Sequence, residues 1–128
     1  QDDGLRRVYL AKYETTKGFD GTESTLFRKT LENSENEIIS SFIKLSSDQG
    51  FALISSSGID PNQDISLKTI DTAGNIQFEE HFGSFKNDIG KSLVQTNDGG
   101  FLILGTLGSG ADSDICLIKT NPVGLLSK

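Results

Sequence analysis

Short β-prone apolar runs separated by polar turns fill this chain, and the clearest set lies between Ser92 and Gly124. An apolar run ends at Thr96, Asn97-Asp98-Gly99-Gly100 follows, and Phe101-Leu102-Ile103-Leu104 opens the next run. Polar and glycine residues that accept positive φ, set between two such runs, predict a hairpin. A Gly/Ser/Asp loop from Gly108 to Asp114 leads to Ile115-Cys116-Leu117-Ile118, and Asn121-Pro122-Val123-Gly124 makes a second reversal, with proline presetting φ and glycine permitting the turn.

The same design recurs fifty positions earlier: Asp48, Gly50, Phe51, Gly58, Asp64, Ile65, Leu67 and Gly74 fall on Asp98, Gly100, Phe101, Gly108, Asp114, Ile115, Leu117 and Gly124. Ile43 over Leu93, Leu53 over Ile103 and Ile54 over Leu104 extend the match by type, without a gap. The matches occupy turn glycines and apolar strand positions, so an internal repeat is the first organising expectation.

TNDGGFLILG, DICLIKTNPVG and, in degraded form, FEEHFG at Phe78 to Gly83 resemble the DGG(Y/F) repeats of bacterial secreted and surface proteins, lipoproteins among them. That resemblance implies β-propeller-like blades, each of four antiparallel strands. The chain departs from the family in having no Trp, with Phe27 and Phe78 where it would stand. The first copy also carries Asp48-Gln49-Gly50 at the turn and Leu67-Lys68-Thr69 for the usual apolar-Lys-Thr. Fold alone names no function.

Taken in order, Val8 to Tyr13 resembles a third blade strand, with Leu10 and Lys12 matching Leu117 and Lys119. Thr25 to Leu31 alternates as a half-buried fourth strand. Next, local rules conflict: Ser34-Glu35-Asn36-Glu37 is a capping-box pattern, and Ile38, Ile39, Phe42 and Ile43 recur at helical spacing. The counterpart segment, Asn87 to Thr96, has Gly90 in its middle and enters the DGG hairpin. The repeat overrides the local pattern, so Ser41 to Leu45 is predicted as a strand, with a helical turn allowed near Glu35. The remaining strands are expected at Phe51–Ser56, Asp64–Ile70, Ile76–Phe82, Lys91–Thr96, Phe101–Thr106, Asp114–Thr120 and Leu125–Lys128. The expectation is one all-β domain over residues 1–128: a half blade at 8–31, one repeat at 38–83 and a second at 88–128. Two and a half blades do not close a propeller. A piece of a larger array, association with copies into a ring, and a compact β-sandwich of the two repeat sheets all stay open.

Composition narrows the chemistry. At 128 residues the chain suffices for one domain with a moderate core, and 14 Gly with 34% apolar residues suit a loop-rich all-β protein. A net charge of −6 with both signs scattered argues against a nucleic-acid surface, and no run approaches the ~20 apolar residues of a membrane span. The lone Cys116, facing Ser66 of the other repeat, excludes an intramolecular disulfide and reads as a small buried residue. The chain opens at Gln1 rather than Met, which with the family resemblance favours an exported, extracytoplasmic protein, and a lipid anchor before Gln1 stays open.

Ser46-x-Asp48-x-Gly50 and Thr96-x-Asp98-x-Gly100 resemble Asp-box turns, in which the carboxylate bonds backbone amides of a tight reversal. Asp48, Gly50, Asp98, Gly99, Gly100, Gly74 and Gly124 are therefore read as structural turn residues. Asp60-Pro61-Asn62-Gln63-Asp64, with Ser66 and Asp71, approximates calcium-loop spacing but has Ile65 where glycine is needed and Lys68 at a ligand place; a solvated loop is the default. His81 has no sequence-evident triad or zinc partner, and Lys12 and Lys119 read as solvated. Gly108 to Asp112 precedes a strand, so no helix N-terminus stands there to bind phosphate. No catalytic residue, metal or cofactor is assigned. The favoured reading is a non-catalytic interaction or scaffold module that recognises a protein or glycan through its loops at 14–24, 58–64 and 108–114. The alternative is a fragment or subunit of a propeller-type carbohydrate-active enzyme whose site forms only on assembly.

Overall fold

A computed structural model describes residues 7–14, 24–31, 36–84, 86–108 and 110–127. The Glu14 to Ser24 loop between its end residues, the capping-box residues Ser34 and Glu35, and the side chains of Lys12 and Phe27 lie outside the described set. The described chain is all-β, with antiparallel pairing throughout and no α-helix. Strands β1 (Tyr9–Glu14) and β2 (Ser24–Thr30) form a hairpin. A four-stranded meander follows: β3 (Glu37–Lys44), β4 (Phe51–Ser57), β5 (Asp64–Ile70) and β6 (Ile76–Phe82). A three-stranded meander ends the chain: β7 (Asp88–Gln95), β8 (Phe101–Leu107) and β9 (Asp114–Thr120), with a 3-10 turn at Gly110–Asp112. None of the sheets closes on itself.

The helical spacing of Ile38, Ile39, Phe42 and Ile43 does not produce a helix: β3 starts at Glu37, earlier than the Ser41 expected. Pairing along β4 satisfies its backbone groups, and β-branched side chains suit the pleat better than a helix turn. Directly before β3, Asn36 has φ of 55°, and the helical turn allowed near Glu35 lies outside the described residues. Of the last expected strand, Leu125–Lys128, the described residues 125–127 form one bridge, between Thr120 and Leu126, and Lys128 lies outside the described set.

The pairing of β8 with β9 runs Phe101↔Thr120 to Leu107↔Asp114, which is the pairing of β4 with β5, Phe51↔Ile70 to Ser57↔Asp64, moved by fifty positions. The first strands do not obey the same shift. Ile43 faces Ala52, whereas Val94 faces Leu102, so Ile43 corresponds to Val94 and not to the expected Leu93. One extra residue in the turn at 45–50 causes the slip. Because side chains alternate with period two, a slip of one residue exchanges the faces of the whole strand.

Two apolar clusters stack the three units. Ala52, Ile54, Ile65 and Leu67 of the four-stranded sheet meet Leu93, Phe101 and Ile103 of the three-stranded sheet. On the other face, Leu53 and Ile70 meet Val8 and Leu31 at the base of the β1–β2 hairpin, with Leu10 and Ile76 packed alongside. Each fully buried Leu or Ile contributes about 1.5–3 kcal/mol. Gly90 and Gly105 are paired opposite each other, and together they leave a flat place in the three-stranded sheet. A Cβ on Gly90 would stand 2.9 Å from Ile54 Cγ1, and one on Gly105 would stand 2.8 Å from Ile65 Cδ1. The mid-strand glycine of the sequence thus serves close sheet packing.

Candidate functional site

Connections gather at two ends of the sheets. At one end lie the turns at 45–50, 71–75, 96–100 and 121–124; at the other lie the segments 58–63, 83–87 and 108–113. The turn end begins with Asp98, whose Oδ1 accepts from Gly100 N at 2.9 Å and from Thr96 Oγ1 at 2.5 Å. Lys119 Nζ lies 2.9 Å from Asp98 Oδ2 and also donates to Thr120 O at 2.7 Å, so this lysine ties the turn to β9 rather than standing solvated. The Thr96 hydroxyl, the Lys119 ammonium and the Gly100 amide together hold the Asp98 carboxyl well below its ordinary range. Asp48 does something else. It has φ of 57°, its N–H donates to Leu45 O, and its carboxylate pairs with exposed Lys44 at 2.6 Å, which lowers its pKa. In the neighbouring turn Gly99 has φ of 83° and donates to Thr96 O. Asp48 therefore takes the place of Gly99, not of Asp98, and the extra residue is Gln49.

Gly50 and Gly100 stand where β4 and β8 leave their turns. A Cβ on Gly50 would lie 1.9 Å from Ile70 O, and one on Gly100 would lie 2.1 Å from Thr120 O, so backbone occupies the side-chain space. Gly74 and Gly124 both have positive φ, and Asp71 and Asn121 cap their turns by accepting backbone amides two and four residues on.

Between these turns opens a cleft of about 620 Å³. Its walls include Gln49, Asp71, Gln77 and Gln95, together with Phe78 and Phe101, which lie edge to face with 6.3 Å between ring centres. Gln95 spans the two sheets, accepting from Ser46 N at 2.8 Å and donating to Gly99 O at 3.1 Å. Gln77 Nε2 donates to Asp71 Oδ2 at 3.2 Å. None of the lining residues carries a positive charge.

The opposite end is held by a buried carboxylate. Asp88, fully enclosed, accepts from the N–H and hydroxyl of Ser84 and from Gly108 N, and its own N–H donates to Gln63 O. Asn87 adds bonds to Gln63 N and to Asp60. Asp60 and Asp71 sit beyond opposite ends of β5, roughly 20 Å apart at the strand rise, so the calcium-like spacing does not converge. Among the described residues, no three His, Cys, Asp or Glu side chains gather as a metal-holding group, and no helix is long and apolar enough to cross a membrane.

Sequence reasoning missed a polar network on the face of the four-stranded sheet turned toward the β1–β2 hairpin. Lys68, fully buried, donates to Glu37 Oε2 at 2.5 Å and lies 3.8 Å from Glu79, and Glu37 also accepts from the Ser55 hydroxyl. His81, read as partnerless, lies 2.8 Å from Glu79 and 3.4 Å from Ser57 Oγ. The Ser57 contact is long, and His81 reaches Glu79 from two residues along one strand, a usual surface pair rather than an activated nucleophile. The signal was available: Lys68 comes one residue early against Lys119, which turns it to the interior face. Cys116 is half-buried; burial, with the Asp88 charge second, pushes its thiol up. Its counterpart Ser66 is fully buried, and the Ser66 hydroxyl has no hydrogen-bond partner.

No family model matches the chain, and neither a curated protein nor a solved structure matches it.

Proposed function

We propose that this chain is a non-catalytic recognition module built of propeller-like, DGG(Y/F)-type blades from an exported bacterial protein, and that it takes a neutral glycan in the cleft at the turn end. The β1–β2 hairpin is the half blade, β3 to β6 the first full blade, and β7 to β9 with the Leu126 bridge the second. The observation that carries the glycan reading is the cleft itself, whose lining brings together Gln49, Gln77, Gln95 and Phe78, with no lysine or arginine among the lining residues. Amides both donate and accept, which suits hydroxyl-rich ligands, and aromatic rings beside placed polar groups recur in small-ligand sites. The lack of a cationic wall disfavours phosphate and polyanions. The enzyme alternative needs paired carboxylates facing a cavity. Glu37 and Glu79 instead face Lys68.

The test is a titration with soluble neutral oligosaccharides, followed by NMR on the side-chain amides of Gln77 and Gln95. Saturable shifts of those amides, lost in Gln77→Ala, are expected. Shifts confined to the loops at 58–63 and 108–113, or none across a panel of glycans, would remove the cleft reading.

A further inference from the structure

The three-stranded sheet has one apolar face that no described element covers. Ile115 is 81% exposed, Leu117 67%, Val94 51% and Leu104 39%. Cross-strand pairs Leu104↔Leu117, Thr106↔Ile115 and Val94↔Leu102 place all of them on the same side, away from Leu93, Phe101 and Ile103. Fifty positions earlier stand Ala52, Ile54, Ile65 and Leu67, in the same pairing register, and each of these four is fully buried beneath β7 and β8. The molecule itself therefore shows what covers such a face: another sheet of the same kind.

The stacking also has a constant sense. Leu10 of the hairpin faces Leu53 and Ile70 of the four-stranded sheet. The opposite side of that sheet, with Ile54 and Leu67, faces Ile103 and Phe101 of the next. Cys116 and Ile118 pack into the same junction. Leu10 matches Leu117 in sequence, so Tyr9 and Ala11 take the places of Cys116 and Ile118, on the outward side of the hairpin. Tyr9 is 58% exposed there, opposite exposed Thr30. At one end of the stack Tyr9 and Ala11 thus stand in the places that Cys116 and Ile118 hold at the covered junction, and at the other end the apolar face is bare.

From this complementarity we infer that a second copy of this chain docks head to tail, its hairpin face bearing Tyr9 and Ala11 seated on the Leu104, Ile115 and Leu117 face. The contact is heterologous, so it extends to a ring if the rotation closes and to a filament if it does not. It does not depend on what the turn-end cleft binds.

The experiment uses light scattering on a sizing column with three proteins: wild type, Leu117→Asp and Tyr9→Asp. Both substituted positions face water, and circular dichroism checks that each variant remains folded. Wild type is expected to run as a multimer and each variant alone as a monomer, because each lacks one of the two complementary faces. An equimolar mixture of the variants is expected to give a dimer of twofold mass, since one intact face of each remains. Three results would overturn the inference. A monomeric wild type up to millimolar concentration would mean that another segment or protein covers the face. A Tyr9→Asp variant that stays multimeric while Leu117→Asp dissociates would mean symmetric pairing of two Leu117 faces. A mixture that stays monomeric would remove the complementarity itself.

Discussion

Replacing Lys68 by methionine is the most demanding test of this architecture. The Lys68 and Glu37 side chains have no exposure, their charged groups are 2.5 Å apart, and Ser55 completes the carboxylate's contacts. Methionine keeps the aliphatic volume and removes the ammonium, so Glu37 keeps only a hydroxyl partner inside the protein. Breaking a buried pair from one side costs about 3–5 kcal/mol, because the remaining charge is uncompensated. For a chain of this length that lowers Tm by roughly 10–20 °C. The three-stranded sheet supplies a partial control: Ile118 and Gly105 stand fifty positions after Lys68 and Ser55, so the molecule already tolerates uncharged residues at those two places, while Asp88 takes the place of Glu37. The triple variant Lys68→Ile, Glu37→Leu, Ser55→Ala removes the buried pair together, leaving Glu79 its His81 contact, and is expected within ~1 kcal/mol of wild type or above it, since apolar replacement of a buried pair is often neutral or stabilising. Urea unfolding followed by circular dichroism gives both numbers from midpoint and slope. A loss under ~1 kcal/mol for Lys68→Met would mean that the ammonium reaches water, and the packing of the hairpin over this face would be wrong.

Two further perturbations address the turns. Gly100→Ala places a Cβ against the Thr120 carbonyl, and the strands must part; a loss of about 1–3 kcal/mol is expected, read as a lowered urea midpoint, and an unchanged midpoint would refute the close approach. The Asp98 carboxyl is held below its ordinary value of 3.8 by Thr96, Lys119 and Gly100, so its contribution is complete above about pH 4 and fades as pH falls below that. Its side-chain carbon resonance is expected to titrate below pH 3.8, with Gly100 amide exchange quickening in the same range. Titration at or above 3.8 would break the assignment.

The all-β class and most strand positions were legible in the residues, because alternation of apolar positions and the needs of tight turns are local matters. Asp98 could be read as a turn carboxylate from its own pentapeptide, since its partners Thr96 and Gly100 are two residues away on either side. Asp48 could not. Its pentapeptide looks alike, but Gln49 adds a residue to the turn, and only strand pairing reveals that Asp48 holds the left-handed position of Gly99. The same slip misplaced Ile43 against Leu93. For β3, local helical spacing pointed one way and long-range pairing with β4 decided the other.

Apart from β3 and the segment after Gly124, the sequence by itself determined which segments are strands and where the chain reverses, because those follow from side-chain shape, φ preference and period-two alternation over a few residues. Tertiary structure decided which face of each strand is inside. Lys68 is polar by sequence and buried in fact, paired with Glu37 and close to Glu79; Leu117 is apolar by sequence and exposed, with no described sheet over β9. It also placed the cleft, since Gln77 and Gln95 come from different sheets and converge only when those sheets stack. Burial depends on what lies across the layer, and no local pattern carries that information.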